Sequence, residues 1–218
     1  MRSSSVPIRG RSIRAVILDF GEVITQAPNL EAIASMAATL NVDPGQFRRI
    51  YSAHRYAYDR DDLSPEQYWN AVAEDAGAKL DAGQIEGLRR TDVEMWSNLQ
   101  PVVLKWAAEL KSLGLRTAVL SNMHLDMADA VRTGKIPISG FDCLVLSSEV
   151  RMAKPDAQIF QHCLGCLRVE PGETMFVDDR ERNIQAAEAL GILGVCANSS
   201  AAISAQLSIM GWGAPLPE

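Results

Sequence analysis

The chain has 218 residues, 47% of them hydrophobic and 22% charged, the composition of a soluble globular protein and not of a disordered one. Its formal charge is −6, but Arg2, Arg9, Arg11 and Arg14 meet no acid within residues 1–14, so the rest of the chain sets 17 basic residues against 27 acidic ones, a net −10. Such a body excludes a nucleic-acid surface, which needs a basic footprint, and no apolar run approaches the roughly 18–20 residues of a membrane span.

Residues 1–12 read as a frayed basic tail, Arg- and Ser-rich and without the apolar stretch of a secretory signal. AVILDF (15–20) is a continuous apolar run ending in a polar residue, the pattern of a strand buried on both faces. No convincing strand follows until residue 115. The patterns over 29–41, 43–58, 64–77 and 81–97 are helical, and Asp43-Pro44 and Ser64-Pro65 are helix starts. We therefore expect an all-helical insertion over residues 25–98.

Beyond it, a helix over 101–113 ends at Gly114. The strands LRTAVLSN (115–122), CLVLSS (143–148), TMFVDD (174–179) and ILGVCA (192–197) then alternate with helices near 124–134, 155–168 and 181–190. Alternation of this kind means βαβ units. The expected fold class is α/β, a doubly wound parallel sheet in a core of residues 13–24 and 99–200, with residues 201–218 as a second tail. Cys143, Cys163, Cys166 and Cys196 show no regular framework and read as reduced thiols of a cytoplasmic protein. Cys163-x-x-Cys166 has no second pair, so it is expected to pack and not to bind zinc.

In an open parallel sheet, ligands bind beyond the carboxyl ends of the strands. This sequence puts Asp19, Ser121-Asn122, Lys154-Pro155 and Asp178-Asp179 there. Three carboxylates brought together repel one another unless a cation neutralises them. Mg²⁺ suits such a site, because it takes one or two carboxylates plus substrate phosphate oxygens. A nearby lysine neutralises charge on a transferring phosphoryl group. The chemistry alone points to metal-assisted phosphoryl transfer.

The segments DFGEVI (19–24), LSN (120–122), KP (154–155) and VDDRERN (177–183) occur in the order and context of the haloacid dehalogenase (HAD) superfamily. Residues 13–197 resemble its phosphatase-type members, and the helical insertion resembles their first-position cap. The resemblance implies a Rossmann-like core and Mg²⁺ as cofactor. It implies Asp19 as the nucleophile that becomes an aspartyl phosphate, with Asp19, the carbonyl of Gly21 and Asp179 as metal ligands and Asp178 supporting them. Ser121 and Asn122 match the motif that holds phosphoryl oxygens, Lys154 the lysine that pairs with nucleophile and phosphate, and Asn183 the position that orients this lysine.

One position departs from the pattern. Most phosphatases of the superfamily carry an aspartate two residues after the nucleophile, which protonates the leaving oxygen; here that residue is Gly21. Such a group contributes about 10²–10⁴-fold. Three readings follow: a leaving group that needs little protonation, a substitute acid (Glu22, His54 or Asp59), or a weakly active or non-catalytic binding and regulatory protein. If only the acid is missing, Gly21→Asp raises turnover of a poor leaving group. The dehalogenase branch, a minor alternative, uses the same aspartate on carbon without metal. It usually has Tyr at position 21 and lacks the paired acids, so Gly21 and Asp178-Asp179 both disagree.

The favoured expectation is a Mg²⁺-dependent phosphatase of a small phosphorylated metabolite. In the cap segment HRYAYDRDDL (54–63), His54, Arg55, Tyr58 and Arg60 are candidates for binding a sugar or a second anionic group, and His124 is expected to border the site. The cap or the apolar segment IMGWGAPLP (209–217) could supply a homodimer contact.

Overall fold

A computed structural model of the protein describes residues 5–217; Arg2 lies outside them. The segment expected to fray instead holds β1 (Val6–Ile8) and β2 (Arg11–Ile13), an antiparallel hairpin. Its two-residue turn, Arg9-Gly10, has φ of 45° and 75°, the geometry that matches the twist of paired strands. Val6, Ile8 and Ile13 point inward and join the core. The spaced apolar residues were the signal for this hairpin, but Arg-Gly is a weaker turn signature than Asn-Gly and the charges masked it.

Strand β3 (Ala15–Leu18) is followed by five helices, α1 (Leu30–Thr39), α2 (Pro44–Ala53), α3 (Arg55–Asp59), α4 (Pro65–Asp75) and α5 (Ala82–Met95). The caps read from the sequence form: Asp43 accepts from the N–H groups of Gly45 and Gln46, and Ser64 and Gln67 close a reciprocal box. The single run expected over 43–58 is two helices, because the backbone at His54 leaves helical geometry with ψ near 0°. These helices share an apolar cluster of their own, centred on Met36, Phe47, Tyr68, Trp69 and Leu88.

The chain continues through α6 (Pro101–Ser112), β4 (Arg116–Ser121), α7 (Leu125–Arg132), β5 (Cys143–Leu146), α8 (Ser147–Val150), α9 (Ala157–Leu167), β6 (Thr174–Asp178), α10 (Glu181–Ala189) and β7 (Leu193–Cys196). The sheet is parallel throughout, in the order β5-β4-β3-β6-β7. Alternate residues of β3 serve opposite faces. Val16 and Leu18 pack with Val119 and Val177, whereas Ala15 and Ile17 pack with Leu120 and Phe176. Helices cover both faces, which is why the strands read as unbroken apolar runs. Because β3 lies between β4 and β6, Asp19, Ser121 and Asp178 come to neighbouring strand ends at the point where the strand order reverses.

Two further expectations need correction. The segment taken as a C-terminal tail forms α11 (Ser200–Met210), capped by Ser199 and ended by Gly211 at φ 75°. Ile203, Leu207, Met210 and Trp212 are buried, and Trp106 Nε1 donates to the Pro215 carbonyl at 2.8 Å, so the apolar segment folds onto its own core. The cysteines are not all reduced: Cys143 on β5 and Cys166 on α9 form a disulfide, and Cys163 and Cys196 are free. The packing of α9 against β5 brings the two α-carbons to 6.3 Å, within bridging range, although 23 residues separate them in sequence. Among the described residues no helix is long and apolar enough to cross a membrane.

Candidate active site

Asp19 directly follows β3, and the chain then coils tightly through Phe20–Ile24, with Glu22 in the left-handed region at φ 58°. Asp19 is buried. Its Oδ1 accepts from the Phe20 N–H at 2.7 Å and lies 2.7 Å from Lys154 Nζ, and no other hydrogen bond reaches its carboxylate among the described residues. Lys154, only 1% exposed, also reaches Asp178 Oδ2 at 2.7 Å. Asp178 Oδ1 accepts from the Arg180 N–H at 2.8 Å and from Asn183 Nδ2 at 2.9 Å. One oxygen each from Asp19, Asp178 and Asp179 lie within 4.8 Å of one another.

One lysine does not neutralise three carboxylates. Burial, opposed by Lys154 and reinforced by Asp178 and Asp179, raises the Asp19 carboxyl to about 7. Burial and Asp178 likewise raise Asp179. For Lys154 burial favours the neutral amine, but Asp178 and Asp19 outweigh it and hold the ammonium charged above its usual range.

Ser121 is buried at the end of β4 and lines the cavity above these groups. Asn122 also touches the cavity, but its side chain is engaged with the Lys154 backbone, donating to the carbonyl and accepting from the N–H, both at 2.8 Å. Its side chain thus fixes the segment that carries the lysine. Asn183 bonds Asp178 and not Lys154, so its hold on the lysine is indirect.

The cavity, about 400 Å³, is closed by the helical segment. Gly21 has φ −64° and ψ 130°, a conformation open to any residue. What stands beside it is Trp96: a Cβ added at Gly21 would lie 3.5 Å from that ring. The candidates of residues 54–60 divide. His54 Nε2 pairs with Asp75 at 2.8 Å, Arg60 pairs with Asp62 at 3.3 Å, and neither lines the cavity. Tyr58 is stacked between Tyr68 and His124, with ring centroids 4.1 and 4.8 Å away. Arg55 and His124 do line the cavity, but as parts of a closed network. Arg55 reaches Asp59 at 2.7 Å, Asp92 at 2.8 Å and the Tyr51 hydroxyl at 2.9 Å, and His124 Nε2 lies 3.2 Å from Asp92. Burial opposes the charge on Asp92, yet Arg55 and His124 hold its carboxyl well below the usual range.

Tyr51, Tyr56, Asp92 and Trp96 escaped the sequence reading. Tyr51, Arg55 and Asp59 recur every four residues, a spacing that puts them on one helical face and was the available signal; nothing in the sequence marks Trp96. Three contacts set the helices over the strand ends. Tyr56 donates to Asp156 at 2.5 Å, Arg89 grips Asp126 through two bonds of 2.7 and 2.8 Å, and Ser147 Oγ donates to the Asp59 carbonyl at 2.5 Å while accepting from the Met123 N–H.

A family model described as haloacid dehalogenase-like hydrolase matches residues 13–191. The chain belongs to the haloacid dehalogenase-like hydrolase family. Within that family it is 26% identical over 202 residues to the sesquiterpene phosphatase astK of Aspergillus oryzae, covering 90% of this chain and 95% of that one. It is 28% identical over 195 residues to acyl-CoA dehydrogenase family member 10 of Mus musculus, where 84% of this chain spans 18% of a much longer protein. A HAD family enzyme of Bacteroides thetaiotaomicron, solved in complex with magnesium and inorganic phosphate, shares the fold with a TM-score of 0.63 at 20% identity, covering 84% of this chain and 92% of that one.

Proposed function

We propose that this HAD-family hydrolase is a Mg²⁺-dependent phosphatase that hydrolyses a small phosphorylated metabolite through an aspartyl phosphate on Asp19. The observation that carries this reading is the convergence of Asp19, Asp178 and Asp179 within 4.8 Å around a single buried lysine. The excess negative charge and the all-oxygen donor set fit a hard divalent cation. Both oxygens of Asp178 already accept hydrogen bonds, which leaves Asp19, Asp179 and the Gly21 carbonyl to hold Mg²⁺. When bound, the ion supplies charge neutralisation on the phosphoryl oxygens. The phosphatase named among the relatives supports the same chemistry.

In this mechanism Asp19 Oδ2 bonds to phosphorus as the ester P–O bond breaks and its electron pair passes to the leaving oxygen. Water then attacks the phosphorus of the acyl phosphate, releasing inorganic phosphate and the Asp19 carboxylate. Lys154 holds Oδ1 of the nucleophile, and Ser121 faces the phosphoryl oxygens. Of the three candidates for the missing acid, His54 is turned to Asp75 and Asp59 is paired with Arg55. Glu22 remains: it lines the cavity, and burial together with Asp179 raises its carboxyl.

The test is phosphate release from p-nitrophenyl phosphate and acetyl phosphate with and without Mg²⁺. Metal-dependent turnover that vanishes in Asp19→Asn, with the folded state retained, is the expected result. No metal-dependent turnover on either substrate favours a non-catalytic binding protein, the reading that Gly21 supports.

A further inference from the structure

We infer that the alcohol part of the substrate is neutral and apolar and lies against Trp96. This rests on the phosphatase reading and names its substrate class. The argument begins with the cations around the cavity. Lys154 is occupied by Asp19 and Asp178, and Arg55, which faces the cavity from the helical segment, is occupied by Asp59, Asp92 and Tyr51. Arg180 and Arg182 belong to the turn and first residues of α10, next to the carboxylates, and Arg180 Nε lies 3.7 Å from Asp179 Oδ2. They stand at the end where the phosphoryl group binds. Among the described residues, the one cation that the helical segment turns to the cavity lining, Arg55, is thus already committed.

The hydroxyl groups are committed in the same way. The Tyr51 hydroxyl donates to Asp92 at 2.6 Å and accepts from Arg55, the Tyr56 hydroxyl donates to Asp156, and the Ser52 hydroxyl donates to the Arg48 carbonyl at 2.8 Å. Binding a polyol strips water from its hydroxyls, and each one left without a partner costs affinity. Tyr51 and Tyr56 line the cavity alongside Phe20, Trp96, Met123 and Met127.

Gly21 and Trp96 make one feature. With no side chain at residue 21, two residues from the nucleophile, nothing of that residue stands between the cavity and the Trp96 ring, which a Cβ there would approach to 3.5 Å. A planar or extended hydrocarbon attached to the phosphoryl group meets this ring and gains by leaving water. A hydroxyl or a second phosphate gains nothing from that ring.

The experiment uses the full chain with Mg²⁺ and four primary alkyl phosphates, so that leaving-group acidity does not separate them: 3-phenylpropyl phosphate, glycerol 3-phosphate, glucose 6-phosphate and fructose 1,6-bisphosphate. Acetyl phosphate is the control for the chemistry itself. The expected result is a kcat/KM for 3-phenylpropyl phosphate at least about tenfold above each of the other three, the scale on which an apolar pocket discriminates. Trp96→Ala and, at the exposed rim, Tyr56→Ser are each expected to lower that ratio. A ratio between two substrates of one variant cancels any general loss of activity, and the wild-type panel stands without either variant. Turnover of acetyl phosphate with an equal or lower kcat/KM for the phenylpropyl ester overturns the inference and leaves the phosphatase reading standing. No Mg²⁺-dependent turnover of any of the five overturns both.

Discussion

The side chain of Asn122 clamps the backbone of Lys154 at two points, donating to its carbonyl and accepting from its N–H at 2.8 Å each. The lysine carries the charge that neutralises both Asp19 and Asp178, so its position is set from β4 through an amide. Asn122→Ala removes both bonds and leaves two buried backbone groups without partners, at a cost of about 1–3 kcal/mol for each such group. A lower denaturation midpoint with a fall in kcat is expected; Asn122→Asp, which keeps only the acceptor, falls between. Unchanged kcat in a folded Asn122→Ala overturns the positioning role.

Burial and Asp179 raise the Glu22 carboxyl, the direction that favours a general acid. Glu22→Gln is expected to lower kcat for alkyl phosphates by about 10²-fold, the lower bound for a general acid. Acetyl phosphate, whose leaving group departs without a proton, is expected to be nearly unaffected. Equal losses on both substrates assign Glu22 to binding instead.

The Asp19 carboxyl, raised from 3.8 to about 7, makes metal binding depend on pH. Between these values the folded protein without metal holds a proton that the unfolded chain has lost, so this group's contribution to stability falls as pH rises through that window. Mg²⁺ requires the carboxylate and competes with that proton. The increase in Tm on adding Mg²⁺ is therefore expected to be small at pH 5.5 and larger at pH 8. Equal increases at both pH values contradict this coupling.

Trp96 changes what is expected of residue 21. A methyl group fits there, 3.5 Å from the ring and at an unstrained φ, so Gly21→Ala is expected to cost little stability. A carboxyl beyond that Cβ has the indole as its immediate neighbour. We expect Gly21→Asp alone not to raise turnover of alkyl phosphates, and Gly21→Asp with Trp96→Ala to raise it. Steady-state kinetics on the two variants decide the matter, and a gain from the single variant restores the simpler account in which only the acid was missing.

The disulfide gives a fifth test. Closing a loop of 23 residues stabilises a chain by about 3 kcal/mol through the lost freedom of its unfolded state. Cys143→Ser is expected to lower the urea midpoint accordingly, with little change in kcat/KM, because Cys143 stands at the start of β5, away from the strand ends that carry the site.

The sheet and the positions of Asp19, Ser121, Lys154 and Asp178 were legible in the sequence, because strands buried on both faces are unbroken apolar runs and each ends in its polar residue. The partners of these residues were not. A motif that places Asn122 beside Ser121 does not reveal that its amide is turned to a backbone 32 residues away. Arg55, Tyr58 and His124 looked like free binding groups because a sequence lists charges without their counterparts; Asp92, which holds two of them, lies in another helix. The hairpin and α11 were missed for a different reason. At the chain ends charge and composition outweighed a short spacing signal that gained meaning only against the core it covers.

The Ser147 hydroxyl joins three pieces of chain: it donates to the carbonyl of Asp59 in α3 and accepts from the N–H of Met123, two residues past Ser121. Moving α3 away breaks the first of these bonds and leaves the hydroxyl only the more distant Met123 carbonyl, at 3.3 Å, as acceptor. The placement of α3 and that of the segment that follows Ser121 are thus tied to one oxygen atom. A shift of either is felt by the other.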